Sequence, residues 1–238
     1  MAIDVIGLDA DDTLWHSEDG FSTLTGRFAE LVGPFAVPGE DGALPDLAES
    51  LDGVERRNLG LFGYGVKSFT LSMVEAAIEV SGGTVPAPVI QELLHEGRTL
   101  LARPVELLEG VDETLTELAR DYRLLVITKG DLLNQQRKFH ESGLDRHVTA
   151  LEVVSEKDVE TYRSILMRQR IEAAGFLMVG NSVRSDVLPV LEMGGRAVHI
   201  PYHVLWSHEA AEHNGEVPTL SSIRELPGWL AAVAGNGA

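Results

Sequence analysis

Residues 3–15, IDVIGLDADDTLW, decide the fold class of this chain. The stretch is apolar apart from Asp4 until it stops abruptly at Asp9, which is typical of a buried parallel strand. Similar short apolar runs recur at residues 123–128, 150–154, 176–179 and 197–200. Because periodicity alone also allows a buried helix in each run, the segments between the runs decide the interpretation.

The segments between these runs carry apolar residues at helical spacing. Residues 111–120 and 159–173 each place apolar side chains on one face, and residues 132–142 end at Gly143, a residue that commonly terminates helices. Alternating strands and helices are typical of an open parallel sheet. The sequence therefore predicts an α/β fold with a three-layer Rossmann-like core, in which helices cover both faces of a parallel sheet.

One long segment interrupts this alternation, because residues 15–105 contain no convincing strand. Helical patterns occupy residues 17–31, 66–80 and 87–101. The breaks between them, which include residues 34–45 and 59–65, carry Gly or Pro. We therefore predict two domains, an α/β core formed by residues 1–14 and 106–238 and an inserted helical cap formed by residues 15–105.

The composition excludes several classes of function. The 238 residues carry 37 Asp and Glu against 19 Lys and Arg, a formal net charge of −18 that repels phosphate backbones and anionic lipid. We therefore expect no nucleic-acid and no membrane partner. Cys is absent, which excludes disulfides, Cys-ligated zinc and thiol catalysis. Because no run of about 18 apolar residues and no signal-peptide pattern occurs, a cytoplasmic location is predicted.

Reactive side chains follow most of the predicted strands. Asp9 and Asp11 follow the first strand, Thr128 ends the second, Lys157 lies shortly after the third, and Asp186 follows the fourth. Because ligands bind beyond the carboxyl ends of parallel strands, we expect these side chains to converge on one edge of the sheet. Taken singly, each is more simply explained as a turn, cap or surface residue. Their order at successive strand ends favours a shared site.

This set of groups suits phosphoryl transfer. The transferring group carries spread negative charge, so the site needs cations and oriented donors around it. Mg²⁺ supplies further charge and prefers a few carboxylates plus waters. A carboxylate can also act as nucleophile, and a second carboxylate two residues later can serve as acid and base. The spacing of Asp9 and Asp11 fits that division of roles.

Four segments of the chain resemble the motifs of the haloacid dehalogenase superfamily. The segment GLDADDTLW resembles its first motif, Asp-x-Asp-x-Thr after an apolar strand, and ITKG resembles the second, a Ser or Thr at a strand end. Lys157 in VVSEKD resembles the third motif, and GNSVRSD resembles the acidic fourth. The four occur in the family's order. The predicted helical insert lies where members with a cap of the first type carry it.

The resemblance implies roles for the residues that would handle the phosphate. By position, Asp9 attacks phosphorus and Asp11 is general acid and base. Thr128, together with the backbone amides of Lys129 and Gly130, would hold the phosphoryl oxygens. The implied activity is Mg²⁺-dependent hydrolysis of a small phosphorylated metabolite through an aspartyl-phosphate.

The resemblance also implies the cation site. Lys157 would neutralise charge on the phosphate and the nucleophile, while Asp186, Asp9, Asn181 and the main-chain carbonyl of Asp11 would hold Mg²⁺. Many members carry Asp where this chain has Asn181. Two arrangements stay open: Asn181 is a neutral ligand, or Asp186 becomes the main acidic ligand, which we favour. The superfamily's dehalogenases also carry Asn in this region but lack the second acid of the first motif, so Asp11 favours a phosphate ester.

A small polar group in the predicted cap is a candidate for substrate choice. Arg57, Tyr64 and Lys67 cluster near the start of the helix predicted over residues 66–80. In an acidic chain these groups could contact an anionic leaving group, although an exposed polar stretch explains them equally well.

The histidines near the C-terminus do not form a predicted metal site. His208 and His213 superficially resemble the zinc-protease motif His-Glu-x-x-His, but they are five residues apart and point to different sides of a helix. We place His203 and Trp206 near the edge of the active site because they follow the last predicted strand.

Three functions are therefore weighed. The first is a phosphoric monoester hydrolase that acts through Asp9. The second is a phosphotransferase or phosphomutase, in which a sugar hydroxyl replaces water as the acceptor. The third is a signalling receiver domain switched by a phospho-Asp; the long insert and the position of Asp9 on the first strand argue against it.

Overall fold

The computed structural model describes residues 2–40, 42–203 and 217–235. Its centre is a five-stranded sheet in the order β3-β2-β1-β4-β5, and every adjacent pair of strands is parallel. The strands are β1 (Val5–Leu8), β2 (Arg123–Lys129), β3 (Ala150–Val154), β4 (Phe176–Gly180) and β5 (Arg196–His199). This sheet confirms the predicted α/β fold class.

Helices occupy all six predicted segments, and further helices lie outside them. They are α1 (Glu18–Val32), α2 (Leu47–Phe62), α3 (Val66–Val80), α4 (Ala87–Leu101), α5 (Val111–Leu118), α6 (Leu132–Ser142), α7 (Val159–Gln169), α8 (Leu188–Glu192) and α9 (Leu226–Gly235). The prediction of helix over residues 159–173 is too long, because Arg170 takes a left-handed conformation with φ 58° and ends α7. No helix in the described part of the chain is long and apolar enough to cross a membrane.

Helix α2 was not predicted, and its position corrects the expected break at residues 59–65. It begins where the Asp46 side chain accepts hydrogen bonds from the amides of Ala48 and Glu49, at 2.9 and 3.1 Å. It ends at Gly63, whose φ of 71° places it in the left-handed region. Apolar burial stabilises the helix against its interior glycines, since Leu51 and Val54 are buried.

The chain forms two compact units. One contains the residues up to Glu18 and those from Val105 onward, and the other runs from Asp19 to Pro104. In the first unit, apolar side chains fill both faces of the sheet, because alternate residues of β2 point to opposite sides: Leu124 and Val126 to one cluster, Leu125 and Ile127 to the other. In the second unit, helices α1 to α4 contribute to one apolar cluster of their own.

The chain leaves and re-enters the first unit at adjacent positions. Trp15 and Leu107 form an antiparallel bridge, and the amide of His16 donates to the carbonyl of Glu106 at 3.0 Å. The second unit is therefore an insertion between two paired segments. The predicted boundary after residue 14 falls within this paired region, four residues before the division at Glu18.

Candidate active site

The strand order makes the end of β1 a topological switch point, where the chain connections lead to opposite sides of the sheet. From β1 the chain continues to β2 on one side and later to β4 on the other. Ligands bind at such points in open α/β sheets, beyond the carboxyl ends of the strands. Asp9 lies immediately after β1, and its amide donates to the carbonyl of Val179 at 2.9 Å, which fixes its backbone at the switch point.

Lys157 joins two buried carboxylates at this edge. Its Nζ donates to Asp9 Oδ1 and, at 2.7 Å, to Asp186 Oδ1. All three residues are buried, with Lys157 only 3% exposed. Three of the residues predicted from separate strand ends therefore meet in one cluster, although they are far apart in the sequence.

Burial and charge shift the pKa values of this cluster in opposite directions. Burial raises the pKa of Asp9 to about 7, and the neighbouring Asp186 adds to this effect while Lys157 opposes it. Burial alone would lower the pKa of Lys157, but the charges of Asp186 and Asp9 outweigh it and hold that pKa well above its ordinary value. Lys157 is thus a permanent cation between the two carboxylates.

A glycine and a single π-helical turn set the position of Asp186. The turn runs over Val183–Val187, and the amide of Ser182 donates to Asp186 Oδ2 at 3.0 Å. A Cβ atom on Gly180 would lie 2.2 Å from the same oxygen, so only glycine leaves room for this carboxylate. Both oxygens of Asp186 therefore have protein partners, Lys157 and the Ser182 amide.

Thr13 brings two possible metal ligands together. Its Oγ1 lies 3.0 Å from Asp9 Oδ2 and 3.4 Å from Asn181 Oδ1, so a carboxylate oxygen and an amide oxygen point to the same place. Among the described residues, no three His, Cys, Asp or Glu side chains form a metal cluster. Hard oxygen donors with few carboxylates suit Mg²⁺ with retained waters, so the donor set fits that ion.

Asp11 lies in a separate set of contacts from Asp9. Trp15 Nε1 donates to Oδ1 at 2.6 Å, Gln135 Nε2 donates to Oδ2 at 2.7 Å, and Lys138 forms an ion pair with Oδ1. Burial favours the neutral acid, but the charge and hydrogen bond of Lys138 outweigh it and lower the pKa of Asp11.

The predicted phosphate-binding segment ends β2. Thr128 is buried, its Oγ1 donates to the carbonyl of Lys129 at 3.2 Å, and it accepts from Gln135 Nε2 at 3.2 Å. Gly130 has φ 132°, in a region that favours glycine. The Lys129 side chain extends to Ser185, with Nζ 3.0 Å from Oγ.

Several residues of this site carried no role in the sequence prediction. Thr13 belongs to the first motif, so the motif could have indicated a role for this residue. Gln135 and Lys138 lie on α6, where Gln135 is an unusual buried polar residue in a helix, but nothing local indicates its partner. Asp12 accepts from the amides of Ser17 and Glu18, at 2.8 and 3.1 Å, and so holds the start of α1.

The residues predicted for substrate choice lie in the second unit. Arg57 Nη2 donates to Glu79 Oε1 at 2.6 Å on the surface. Tyr64 is half-buried and Lys67 is exposed.

The C-terminal histidines are only partly described. His203 is exposed and its ring contacts the ring of Tyr202 at a tilt of 45°, and the Tyr202 hydroxyl lies 2.6 Å from His16 Nδ1. Trp206, His208 and His213 lie outside the described residues.

Comparison with known proteins identifies the family. The model of the haloacid dehalogenase-like hydrolases matches residues 3–194. The chain belongs to this family. A solved hydrolase of the family from Xanthomonas campestris is 39% identical, with a TM-score of 0.86 over 100% of this chain and 95% of that chain. The L-2-haloacid dehalogenase of Xanthobacter autotrophicus shares the fold, with a TM-score of 0.61 at 15% identity, over 96% of this chain and 98% of that chain.

Curated relatives of this haloacid dehalogenase-like hydrolase include phosphatases. The N-acylneuraminate-9-phosphatases of Homo sapiens and Rattus norvegicus are each 25% identical over 173 residues. The match covers 67% of this chain and 66% of each relative, just under two thirds of the relatives' own length. The chain is therefore similar to phosphatases over about two thirds of its length.

Proposed function

We propose that this hydrolase cleaves a small phosphomonoester in a Mg²⁺-dependent reaction through an aspartyl-phosphate on Asp9. The observation that carries the proposal is the contact of Lys157 with both Asp9 and Asp186 in a buried cluster at the switch point of the sheet. A buried lysine beside a carboxylate nucleophile provides the fixed positive charge that phosphoryl transfer requires.

The first half of the reaction transfers the phosphoryl group to the enzyme. A carboxylate oxygen of Asp9 attacks phosphorus, the bond from phosphorus to the ester oxygen breaks, and that oxygen takes a proton from Asp11. Asp11 must bind this proton before the step, against the lowering of its pKa by Lys138. Lys157 balances charge on the phosphoryl oxygens, and Thr128 with the amides of Lys129 and Gly130 donates hydrogen bonds to them. Attack requires the ionised form of Asp9, which Lys157 favours against the effect of burial.

The second half regenerates the free enzyme. Asp11, now a carboxylate, accepts a proton from water, and the water oxygen attacks phosphorus and releases inorganic phosphate from Asp9. In this proposal Asp9, Asn181, Asp186 and the carbonyl of Asp11 hold Mg²⁺, which when bound offsets negative charge on the phosphoryl group. Lys157 and the Ser182 amide contact both Asp186 oxygens, whereas Thr13 Oγ1 contacts both Asp9 Oδ2 and Asn181 Oδ1, which supports Asn181 as a ligand beside Asp9.

The decisive test replaces the nucleophile. We expect Asp9→Asn to abolish hydrolysis, because enzymes accelerate phosphomonoester hydrolysis by as much as about 10²¹-fold and little remains without the covalent route. Activity above a few per cent of wild type toward the best substrate would contradict the assignment. Parallel assays with Mg²⁺ and with EDTA test the metal, and we expect activity to stop in EDTA and to return with added Mg²⁺.

The name of the curated relatives indicates which substrate to try first. Because those relatives are N-acylneuraminate-9-phosphatases, a panel of phosphate esters begins with N-acylneuraminate 9-phosphate and continues with other sugar phosphates. Release of inorganic phosphate supports a hydrolase, whereas formation of a new sugar phosphate supports the phosphotransferase alternative. A phospho-Asp that persists for hours would instead support a signalling domain.

We also propose that the second unit acts as a cap and selects the substrate through Arg57, Tyr64 and Lys67. The exposed position of Lys67 in an acidic chain supports a contact with an anionic leaving group, and for the same contact Arg57 must leave its ion pair with Glu79. Arg57→Ala and Lys67→Ala are expected to lower kcat/KM for the best substrate but not for p-nitrophenyl phosphate. Unchanged kcat/KM for every ester removes this part of the proposal.

A further inference from the structure

Asp11 accepts hydrogen bonds from two residues of α6 that none of the four motifs contains. Gln135 and Lys138 lie three residues apart on this helix, so they project from the same side of it. Each contacts a different oxygen of Asp11: Gln135 Nε2 lies 2.7 Å from Oδ2, and Lys138 Nζ forms an ion pair with Oδ1. Together with the indole of Trp15, 2.6 Å from Oδ1, they fix both oxygens of the carboxylate.

Gln135 also contacts the predicted phosphate-binding segment. Its Nε2 lies 3.2 Å from Thr128 Oγ1 and 2.7 Å from the carbonyl of Lys129, and the residue is 3% exposed. Because this amide has two N–H hydrogens, its contacts with Asp11 Oδ2 and the Lys129 carbonyl, both at 2.7 Å, are its main hydrogen bonds, and the longer contact with Thr128 Oγ1 shares one of these hydrogens. One buried amide thus touches both the acid and the phosphate-binding hydroxyl.

Lys138 is itself fixed in place. Its side chain is 13% exposed, and its ammonium lies 5.6 Å from the centroid of the Trp15 ring, within the range of a cation–π interaction. The same indole donates its N–H to Asp11. The lysine, the indole and the carboxylate therefore restrict one another, and removing the lysine leaves Asp11 Oδ1 held by the indole alone.

We propose that Gln135 and Lys138 are positioning residues of the reaction. Lys138 acts through Asp11 alone, whereas Gln135 acts through both Asp11 and Thr128. The inference rests on the proposed function, in which Asp11 is the general acid and base. Placement matters because a shift of about 1 Å in a reacting group can cost about 100-fold in rate.

The test compares leaving groups in four variants. We expect Lys138→Met and Gln135→Leu to lower kcat/KM by about tenfold or more for an alkyl phosphate, whose leaving oxygen needs a proton. The loss should be smaller for p-nitrophenyl phosphate, whose leaving group needs little protonation. Lys138→Arg should restore most of the activity, and Gln136→Leu, at the exposed neighbouring position, should stay within about twofold of wild type. Equal losses on both esters, with a lowered Tm, overturn the inference in favour of a merely structural role.

A double-mutant cycle with Asp11→Asn distinguishes effects that act through Asp11 from effects that act through Thr128. In the Asp11→Asn background, Lys138→Met should have no further effect on p-nitrophenyl phosphate hydrolysis, while Gln135→Leu should still lower it through Thr128. The same fold loss from Lys138→Met in both backgrounds overturns the inference. If Gln135→Leu does not fold, the Lys138 variants decide alone.

The proposed function fails in a different way. A wild-type protein that hydrolyses no phosphate ester, or an Asp9→Asn variant that keeps its activity, overturns the function and this inference with it. An active wild-type protein in which Lys138→Met changes nothing on either ester overturns the inference alone.

Discussion

At the scale of single residues, Gly180 determines whether Asp186 can reach Lys157. A Cβ atom at this position would lie 2.2 Å from Asp186 Oδ2 and 2.3 Å from its Cγ, far inside van der Waals contact. Gly180→Ala must therefore displace the carboxylate and break its hydrogen bond to Lys157. We expect a loss of kcat/KM of at least about tenfold and a destabilisation of about 1–3 kcal/mol, measured by phosphate release and urea unfolding.

The matched control for Gly180 lies in the interior of α2. A Cβ atom on Gly53 meets nothing within 4 Å, so Gly53→Ala should raise stability by roughly 0.5–1 kcal/mol because Ala favours the helix. It should leave kcat/KM unchanged. Wild-type activity in Gly180→Ala would show that the position of Asp186 does not depend on the space at this glycine.

Glu55 of α2 makes the stability of the protein depend on pH. Burial, with a smaller effect of Asp52, raises the pKa of Glu55 from 4.5 to about 7. Between these values the unfolded chain has lost the proton that the folded chain retains, so this residue lowers stability as pH rises from about 4.5 to about 7.

Glu55→Gln should remove this contribution. We expect the variant to match wild type near pH 4.5 and to be more stable by about 2 kcal/mol at pH 8, measured by urea unfolding. Glu49→Gln, at an exposed position of the same helix, serves as the matched control. Parallel stability curves for Glu55→Gln and wild type across this pH range would contradict the assignment.

At the scale of elements, the cap of α7 positions Lys157, the lysine that we propose takes part in catalysis. Asp158 is the N-cap of this helix, directly after Lys157, and its side chain accepts from the amide of Thr161 at 2.8 Å. That hydrogen bond lowers the pKa of Asp158, so the stabilisation is present above the unfolded pKa and is lost as pH falls through the lower folded value.

Removal of this cap should affect both stability and activity. We expect Asp158→Ala to lower the free energy of unfolding by about 1 kcal/mol at pH 7 and by less in acid, whereas Asp158→Asn keeps a capping oxygen and most of the stability. Because Lys157 is the preceding residue, kcat/KM should fall in Asp158→Ala more than in Asp158→Asn. Equal stabilities of the two variants in thermal or urea unfolding would contradict the cap.

The sequence predicts an element well when its apolar side chains follow one regular pattern. It does not predict an element whose end depends on a single unusual backbone conformation. The apolar run at 150–154 matches β3, and the helical pattern at 132–142 matches α6. In both segments the apolar pattern and the flanking residues indicate the same element. The end of α7 depends on one left-handed residue, Arg170, whose side chain gives no such signal. Helix α2 forms through a cap at Asp46 and long-range burial, which outweigh the glycines inside it.

At the scale of the whole molecule, the site separates into predictable and unpredictable parts. Parallel strands bring their carboxyl ends to one edge, so the convergence of Asp9, Lys157 and Asp186 follows once the strands are identified. The contact between Gln135 and Asp11 spans 124 residues and depends on how α6 rotates against the sheet. No local pattern encodes that rotation, because it results from the packing of the entire α/β unit.

The paired segments where the chain leaves and re-enters the first unit make that unit a candidate for independent folding. Because His16 and Glu106 are hydrogen-bonded at 3.0 Å, a flexible linker of about six residues can replace residues 19–104. We expect the shortened protein to unfold cooperatively and to hydrolyse p-nitrophenyl phosphate in an Asp9-dependent manner, while losing at least about tenfold in kcat/KM for the preferred natural ester. Undiminished selectivity among esters would show that the second unit takes no part in substrate choice, and an unfolded product would show that the first unit depends on it for stability.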